Sequence, residues 1–268
     1  MSLGLSPEQI RSYQDNGFVL VKGLFTRDEA RALRREAHEL AGRVQKLRNL
    51  ESTWGSVRSG DPSKQTAIAG LHDVQFYSAA FARMIVDPRF TSIAQSIIGP
   101  NVQLHHTKMF IKPPERGSPF PMHQDKPYFP HERDTMIAAI VHLDDAPLEK
   151  GCLRVVPGTH KLGLLEESGQ RDHSLPHETY PIDRATPVPA EAGDAIFFSY
   201  LTVHGSGVNT SSEARTTVLI QMRDPTDPPT VRTHESRGQG MMLAGIDPSC
   251  CTTKAPDSAP VGAAMGMM

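Results

Sequence analysis

The chain has 268 residues, a formal net charge of −2 and 38% hydrophobic residues, which suits one sizeable domain with a real core. A near-neutral balance argues against a nucleic-acid surface, which would carry a basic stripe, and no apolar run reaches the roughly 18 residues of a membrane span. Three cysteines (Cys152, Cys250, Cys251) make neither a disulfide framework nor a Cys-x-x-Cys metal spacing. The first seven residues have neither a basic nor an apolar signal region, so a reducing cytoplasm is expected.

In chain order, Ser6-Pro7-Glu8-Gln9 opens a helix that Gly17 stops, and Phe18 to Val21 reads as a buried strand. Thr26-Arg27-Asp28-Glu29 is a second capping box, opening a helix to about Leu47 whose arginines form its solvated side. Residues 49–70 lack periodicity and hold the only tryptophan, Trp54; they read as a substrate-covering lid or as a surface loop with Trp54 packed on the body. Asp87-Pro88 opens a helix ending at Gly99-Pro100. Val102 to Ile111 alternates as a strand, with His106, Lys108 and Phe110 on one face and Thr107, Met109 and Ile111 on the other. Thr135 to Leu143 is a central strand. Its His142 is of the kind more often found as a hydrogen-bonded core residue, and stands as a cavity residue only.

Gly151 to Val156 is a short strand before a Pro-Gly turn, residues 164–184 form an aperiodic loop, and Gly193 to Phe198 is a turn and a buried strand with His204 just past its end. Arg215 to Met222 is the last clear strand, and residues 247–268 read as a loosely held tail behind a single domain of residues 1–246. Many short strands between Gly/Pro turns, with helices near the N-terminus, predict a mainly β jelly roll with a helical buttress.

The chemistry starts at His123-x-Asp125. In an extended segment residues i and i+2 share a face, so an imidazole and a carboxylate can converge there. Alone the tripeptide is a weak signal, and a turn histidine beside a capping Asp explains it more simply. A second imidazole, His204, would complete the two-His, one-carboxylate facial triad of a non-haem Fe(II) oxygenase, which leaves positions for a chelating co-substrate and O2. Arg215, at the start of the next strand, can take a dicarboxylate end-on with its planar fork, and Ser206 offers a hydroxyl to the same carboxylate.

These residues sit in a wider pattern. It runs through Glu8-Gln9, Asn16-Gly17-Phe18, Gly99-Pro100-Asn101, His106-Thr107, Lys112-Pro113-Pro114 and His123-Gln124-Asp125. It continues in Tyr128-Phe129-Pro130, Gly151-Cys152-Leu153, Pro157-Gly158-Thr159-His160-Lys161, Gly193-Asp194, His204-Gly205-Ser206-Gly207 and Arg215. In this order and spacing the chain resembles the phytanoyl-CoA dioxygenase family over roughly residues 6–223. The resemblance implies a double-stranded β-helix (a cupin-like jelly roll), Fe(II) on His123, Asp125 and His204, and 2-oxoglutarate on Arg215 with help from the strand of His106 and Lys108. The basic group that family members often place upstream has no lysine to match in Leu71 to Gln75, and Lys108 is the expected substitute.

The implied reaction is oxidative decarboxylation of 2-oxoglutarate to succinate and CO2, with hydroxylation of an unactivated C–H bond in a small metabolite, a natural-product intermediate or an acyl thioester. Desaturation or cyclisation would use the same site. A chlorinating relative would replace Asp125 by a small residue, and a Zn or Mn isomerase or hydrolase of this shape would not need Arg215. Gln124, Lys126, Tyr128, His142 and Trp54 are the expected substrate contacts. Substrate choice is expected in the loops at 49–70, 164–184 and 223–245. Lys112, Arg116, Lys126 and Arg133 stand either as phosphate holders for a CoA thioester or as solvated charges.

Overall fold

A computed structural model describes residues 3–46, 51–52, 69–114, 119–169, 173–233 and 235–251. Four helices precede most of the sheet: α1 (Pro7–Asn16), α2 (Arg27–Lys46), α3 (Ala79–Ile85) and α4 (Pro88–Ile98). Their ends follow the capping chemistry. Ser6 accepts from the Gln9 amide while the Gln9 side chain accepts from the Ser6 amide, and Gly17 ends α1 at φ 82°. Thr26 and Glu29 repeat the reciprocal arrangement for α2. Helix α3, on the short segment after Ser78, was not anticipated; it is capped by the Ser78 hydroxyl. Among the described residues no helix is long and apolar enough to cross a membrane.

The strands are β1 (Phe18–Val21), β2 (Glu51–Ser52), β3 (Ala69–His72), β4 (Val102–Lys112), β5 (Phe120–His123), β6 (Ile137–His142), β7 (Leu153–Val156), β8 (Thr186–Val188), β9 (Ala195–Ser199), β10 (Val203–Ser206), β11 (Arg215–Arg223) and β12 (Met242–Ala244). They form two antiparallel sheets. The larger runs β1-β9-β6-β11-β4-β3-β2, with β12 also on β4, and the smaller runs β5-β10-β7-β8. Two curled sheets face to face make the jelly roll expected from the sequence. The Trp54 loop lies outside the described residues, as does the tail beyond residue 251.

The period of two decides which side of the large sheet is which. On β4, Met109 and Ile111 join Val141, Phe197, Val218, Ile220 and Met222 in a core with Leu33, Ala37, Phe81, Ile85, Phe90 and Ile93 of the helices. Each of these large side chains contributes about 1.5–3 kcal/mol by leaving water. The alternate residues, among them His106, Lys108 and Phe110 on β4, Ile140 and His142 on β6 and Arg215, Thr217, Leu219 and Gln221 on β11, face the cavity between the sheets. With its outer face sealed by helices, the sheet can carry polar groups on its inner one.

The turn before β9 ties the helical layer to the sheet. Gly193 has φ +99°, its carbonyl accepts from the Phe25 amide at 2.9 Å, and a Cβ there would stand 2.1 Å from the Phe25 carbonyl oxygen. Gly193→Ala therefore meets both a left-handed backbone and a backbone clash, at a cost of about 2 kcal/mol or more. A drop in the thermal unfolding midpoint of several degrees is the expected result.

Candidate active site

The first imidazole is the last residue of β5 and the second lies in the middle of the neighbouring strand. His123 and His204 are direct cross-strand partners, with ring centroids 4.3 Å apart. His204 thus sits inside its own strand, β10, held between β5 and β7, and not past the end of one as its small neighbours suggested. Gly205 lets β5 come this close: a Cβ there would lie 2.8 Å from both the Phe120 carbonyl oxygen and Met122 Sδ. Asp125 also departs from the extended geometry expected of it. Its backbone is helical (φ −80°, ψ −24°) at the start of a short 3-10 turn, pinned where its amide donates to the Tyr200 carbonyl at 2.8 Å. The turn swings the carboxylate under the two rings.

His123 Nε2 is 3.5 Å and His204 Nε2 3.6 Å from Asp125 Oδ1, and one ligand atom from each of the three lies within 4.8 Å of the others. Ligands about 2.1 Å from a common centre and at right angles would be about 3 Å apart, so the set is close to a facial metal site. The ring orientations agree. His123 Nδ1 hydrogen-bonds the Pro121 carbonyl at 2.7 Å and His204 Nδ1 the Thr202 carbonyl at 2.9 Å, which leaves both Nε2 lone pairs pointing inward. Burial, reinforced by His123, lowers His204 to about 4, the neutral form a ligand requires. Burial works against the charge of Asp125, yet His204, His123 and Gln221 outweigh it and hold the carboxyl below its ordinary value. No other group of His, Cys, Asp and Glu among the described residues converges in this way.

From this centre a cavity of about 140 Å3 runs along the inner face of β11. At its far end Arg215 is 6% exposed; burial lowers it to about 10, still a cation at neutral pH. Its Nη1 donates to the Gly151 carbonyl, and its Nε has no partner among the described residues. Its cross-strand partner is Lys112. Far from being a solvated charge, Lys112 is 1% exposed, with Nζ donating to Ser206 Oγ at 2.8 Å and to the Gly207 carbonyl at 2.6 Å. Burial first, then Arg215, pull Lys112 down to about 6. With both side chains charged, such an opposed pair would destabilise the sheet unless an anion joined them.

The other sequence-derived candidates divide. His106, Lys108, Tyr128, His142 and Ser206 line the cavity. Gln124 and Lys126 do not. The Gln124 amide donates to the Gly163 and Leu201 carbonyls and its oxygen accepts from the Leu165 amide, clamping the metal motif to neighbouring loops. Lys126 pairs with Asp134. Trp54 lies outside the described residues. Gln221 escaped the sequence reading: its Nε2 donates to Asp125 Oδ2 at 2.7 Å, while its Oε1 is buried in the cavity without a partner among the described residues. Only its place three same-face steps beyond Arg215 on an alternating strand signalled that it faces the cavity.

A two-sheet roll with a His/Asp/His cluster between the sheets is the architecture of cupin-like oxygenases. The chain belongs to the phytanoyl-CoA dioxygenase family, whose model, Phytanoyl-CoA dioxygenase (PhyH), matches residues 13–217. The peroxisomal phytanoyl-CoA dioxygenase of Rattus norvegicus is 29% identical over 221 residues, covering 76% of this chain; the chain spans 64% of that relative's length. The ectoine dioxygenase of Bordetella parapertussis is 28% identical over 250 residues, covering 84% of this chain and 78% of its own. Among solved structures, the epimerase SnoN in complex with Fe3+, alpha ketoglutarate and nogalamycin RO superposes with a TM-score of 0.68 at 25% identity, covering 88% of this chain and 97% of its own.

Gln221 supports a candidate ligand through a side chain that can be removed. Gln221→Leu should lower iron affinity about 10- to 100-fold, the usual effect of losing a partner that orients a metal-binding carboxylate. Equilibrium dialysis of Fe(II) against wild type and variant reads it.

Proposed function

We propose that this chain is a non-haem Fe(II)- and 2-oxoglutarate-dependent dioxygenase that hydroxylates an unactivated C–H bond of a small molecule, releasing succinate and CO2. The observation that carries the reading is the pairing of two ends of one cavity: His123, Asp125 and His204 converge at one, and Arg215 lies buried at the other. The donor chemistry suits iron, with two neutral imidazoles and one carboxylate on a face that leaves positions open. Bound iron would supply the activation of O2 for oxidative decarboxylation of the co-substrate and oxidation of the C–H bond.

The protein's part is positioning. Arg215 would take the distal carboxylate of 2-oxoglutarate, with the Ser206 hydroxyl and Lys112 behind it. Lys108 and His106 lie further along β4, opposite Leu219 and Gln221, and in this reading they help bind 2-oxoglutarate toward its keto-acid end. Phe110, Phe120, Tyr128, Phe129 and Phe198 give the cavity an apolar wall that excludes water and suits a substrate with a hydrocarbon face. The reading takes residues 1–246 as one oxygenase domain in the cytoplasm, with 247–268 as a tail outside it. The likeness to an epimerase supports a second outcome at the same site, hydrogen abstraction without return of oxygen. Product mass separates the two, since hydroxylation adds one oxygen atom.

Arg215 gives the decisive measurement. A charge-assisted bidentate pair contributes about 1.5–3 kcal/mol, so Arg215→Ala should raise the 2-oxoglutarate concentration for half-maximal succinate formation about ten- to a thousand-fold. Iron affinity should hardly change, and Arg215→Lys should recover part of the loss as a point charge without the fork. An unchanged half-saturation in Arg215→Ala would place the co-substrate elsewhere.

A further inference from the structure

The Arg215 end of the cavity holds a buried imidazole that the proposed reaction does not yet use. His142 is 1% exposed on the inner face of β6, lines the cavity, and has no hydrogen-bond partner at either ring nitrogen among the described residues. Its cross-strand partner is Thr217, one same-face step from Arg215. The guanidinium is close enough that its charge, after burial itself, lowers the imidazole to about 3. The ring is therefore neutral, with one N–H donor and one acceptor nitrogen.

We propose that His142 is a co-substrate-binding residue, donating a ring N–H to the distal carboxylate of 2-oxoglutarate beside Arg215. The inference rests on the reading of this cavity as the 2-oxoglutarate pocket. Two buried donors at the same end, Arg215 Nε and the His142 ring, lack acceptors, and a carboxylate brings two oxygens with about four lone-pair sites. Lys112 is already committed to Ser206 and Gly207. A neutral imidazole adds a hydrogen bond without adding another positive charge beside the Arg215 guanidinium. The two acids this cavity could hold on a metal are told apart at this end: 2-oxoglutarate reaches it, and pyruvate, which chelates identically but has no distal carboxylate, does not.

The test is calorimetric titration of the zinc(II)-loaded full chain with 2-oxoglutarate and, separately, with pyruvate. His142→Leu should weaken 2-oxoglutarate binding roughly ten-fold and leave pyruvate binding unchanged, while His142→Gln, which keeps an N–H, should recover part of the loss. Equal losses for both acids would mean that His142 only shapes the cavity, and an unchanged 2-oxoglutarate affinity would mean that it touches nothing; either overturns the proposal. Wild-type protein labelled with 15N-histidine gives a check that needs no substitution. The His142 ring signal should move on adding 2-oxoglutarate and stay put with pyruvate, and a signal indifferent to 2-oxoglutarate again overturns it. Arg215→Ala separates the two levels of the argument. If it binds 2-oxoglutarate as wild type does, the pocket reading itself fails; if it loses binding while His142→Leu does not, only the role of His142 fails.

Discussion

The site depends on one strand pairing. β5 is only four residues long and meets β10 with His123 opposite His204. A slip of one residue would turn one of the two rings to the other face. What resists the slip lies on both sides of β10: β7 pairs with it in unbroken register from Val203 to Ser206, and Gly205 lets the β5 backbone come too close for any larger residue. The turn after β5 then has only to carry Asp125 beneath the rings, where the Tyr200 carbonyl and the Gln221 amide catch it.

The large sheet makes this possible by dividing its labour between faces. Helices α2, α3 and α4 pack on its outer face, and a smaller apolar cluster between the sheets (Ala138, Ile196 and Phe198 with Leu153, Val155 and Val188) supports the inner face beside the cavity. The inner face is then free to hold groups that folding alone would disfavour: two opposed basic residues, an unpartnered imidazole and an amide oxygen without a donor. Such groups lower stability in the unliganded chain; some, such as Gln75 and Gln103, lie outside the cavity, while those of His142, Arg215 and Gln221 share it. They make sense together as donors and acceptors awaiting a ligand.

Much of this could be read from the residues. The helix caps at Ser6 and Thr26 and the two faces of β4 follow from local rules, and the structure agrees with them. The convergence of His123, Asp125 and His204 and the burial of Arg215 beside a cavity were also within reach, because residue type and spacing carry that information. What escaped is non-local. Periodicity says which residues share a face, but not which strand lies opposite, so Lys112 stood either as a phosphate holder or as a solvated charge, and its place opposite Arg215 was not legible. Gln221 looked like an ordinary polar residue in a strand until Asp125 was placed beside it. Gln124 and Lys126 were counted toward the substrate because they flank the motif, but the 3-10 turn that aims Asp125 inward directs them into a loop clamp and an ion pair.

The two imidazoles and the carboxylate are supported in different ways. Each histidine binds the carbonyl two residues before it, Pro121 for His123 and Thr202 for His204. That support belongs to the main chain, and no side-chain replacement can delete the acceptor. Asp125 instead relies on the amide of Gln221, which a single codon change can exchange. Mutation can therefore alter the hydrogen bond to the carboxylate while leaving the carbonyls that set the two ring tautomers in place, with Tyr128 and Phe198 packed on the rings. Drift or directed evolution at position 221 would adjust the basicity and angle of the carboxylate while both rings kept their tautomer, leaving the oxygen donor as the adjustable corner of a site whose nitrogen corners are set by the backbone.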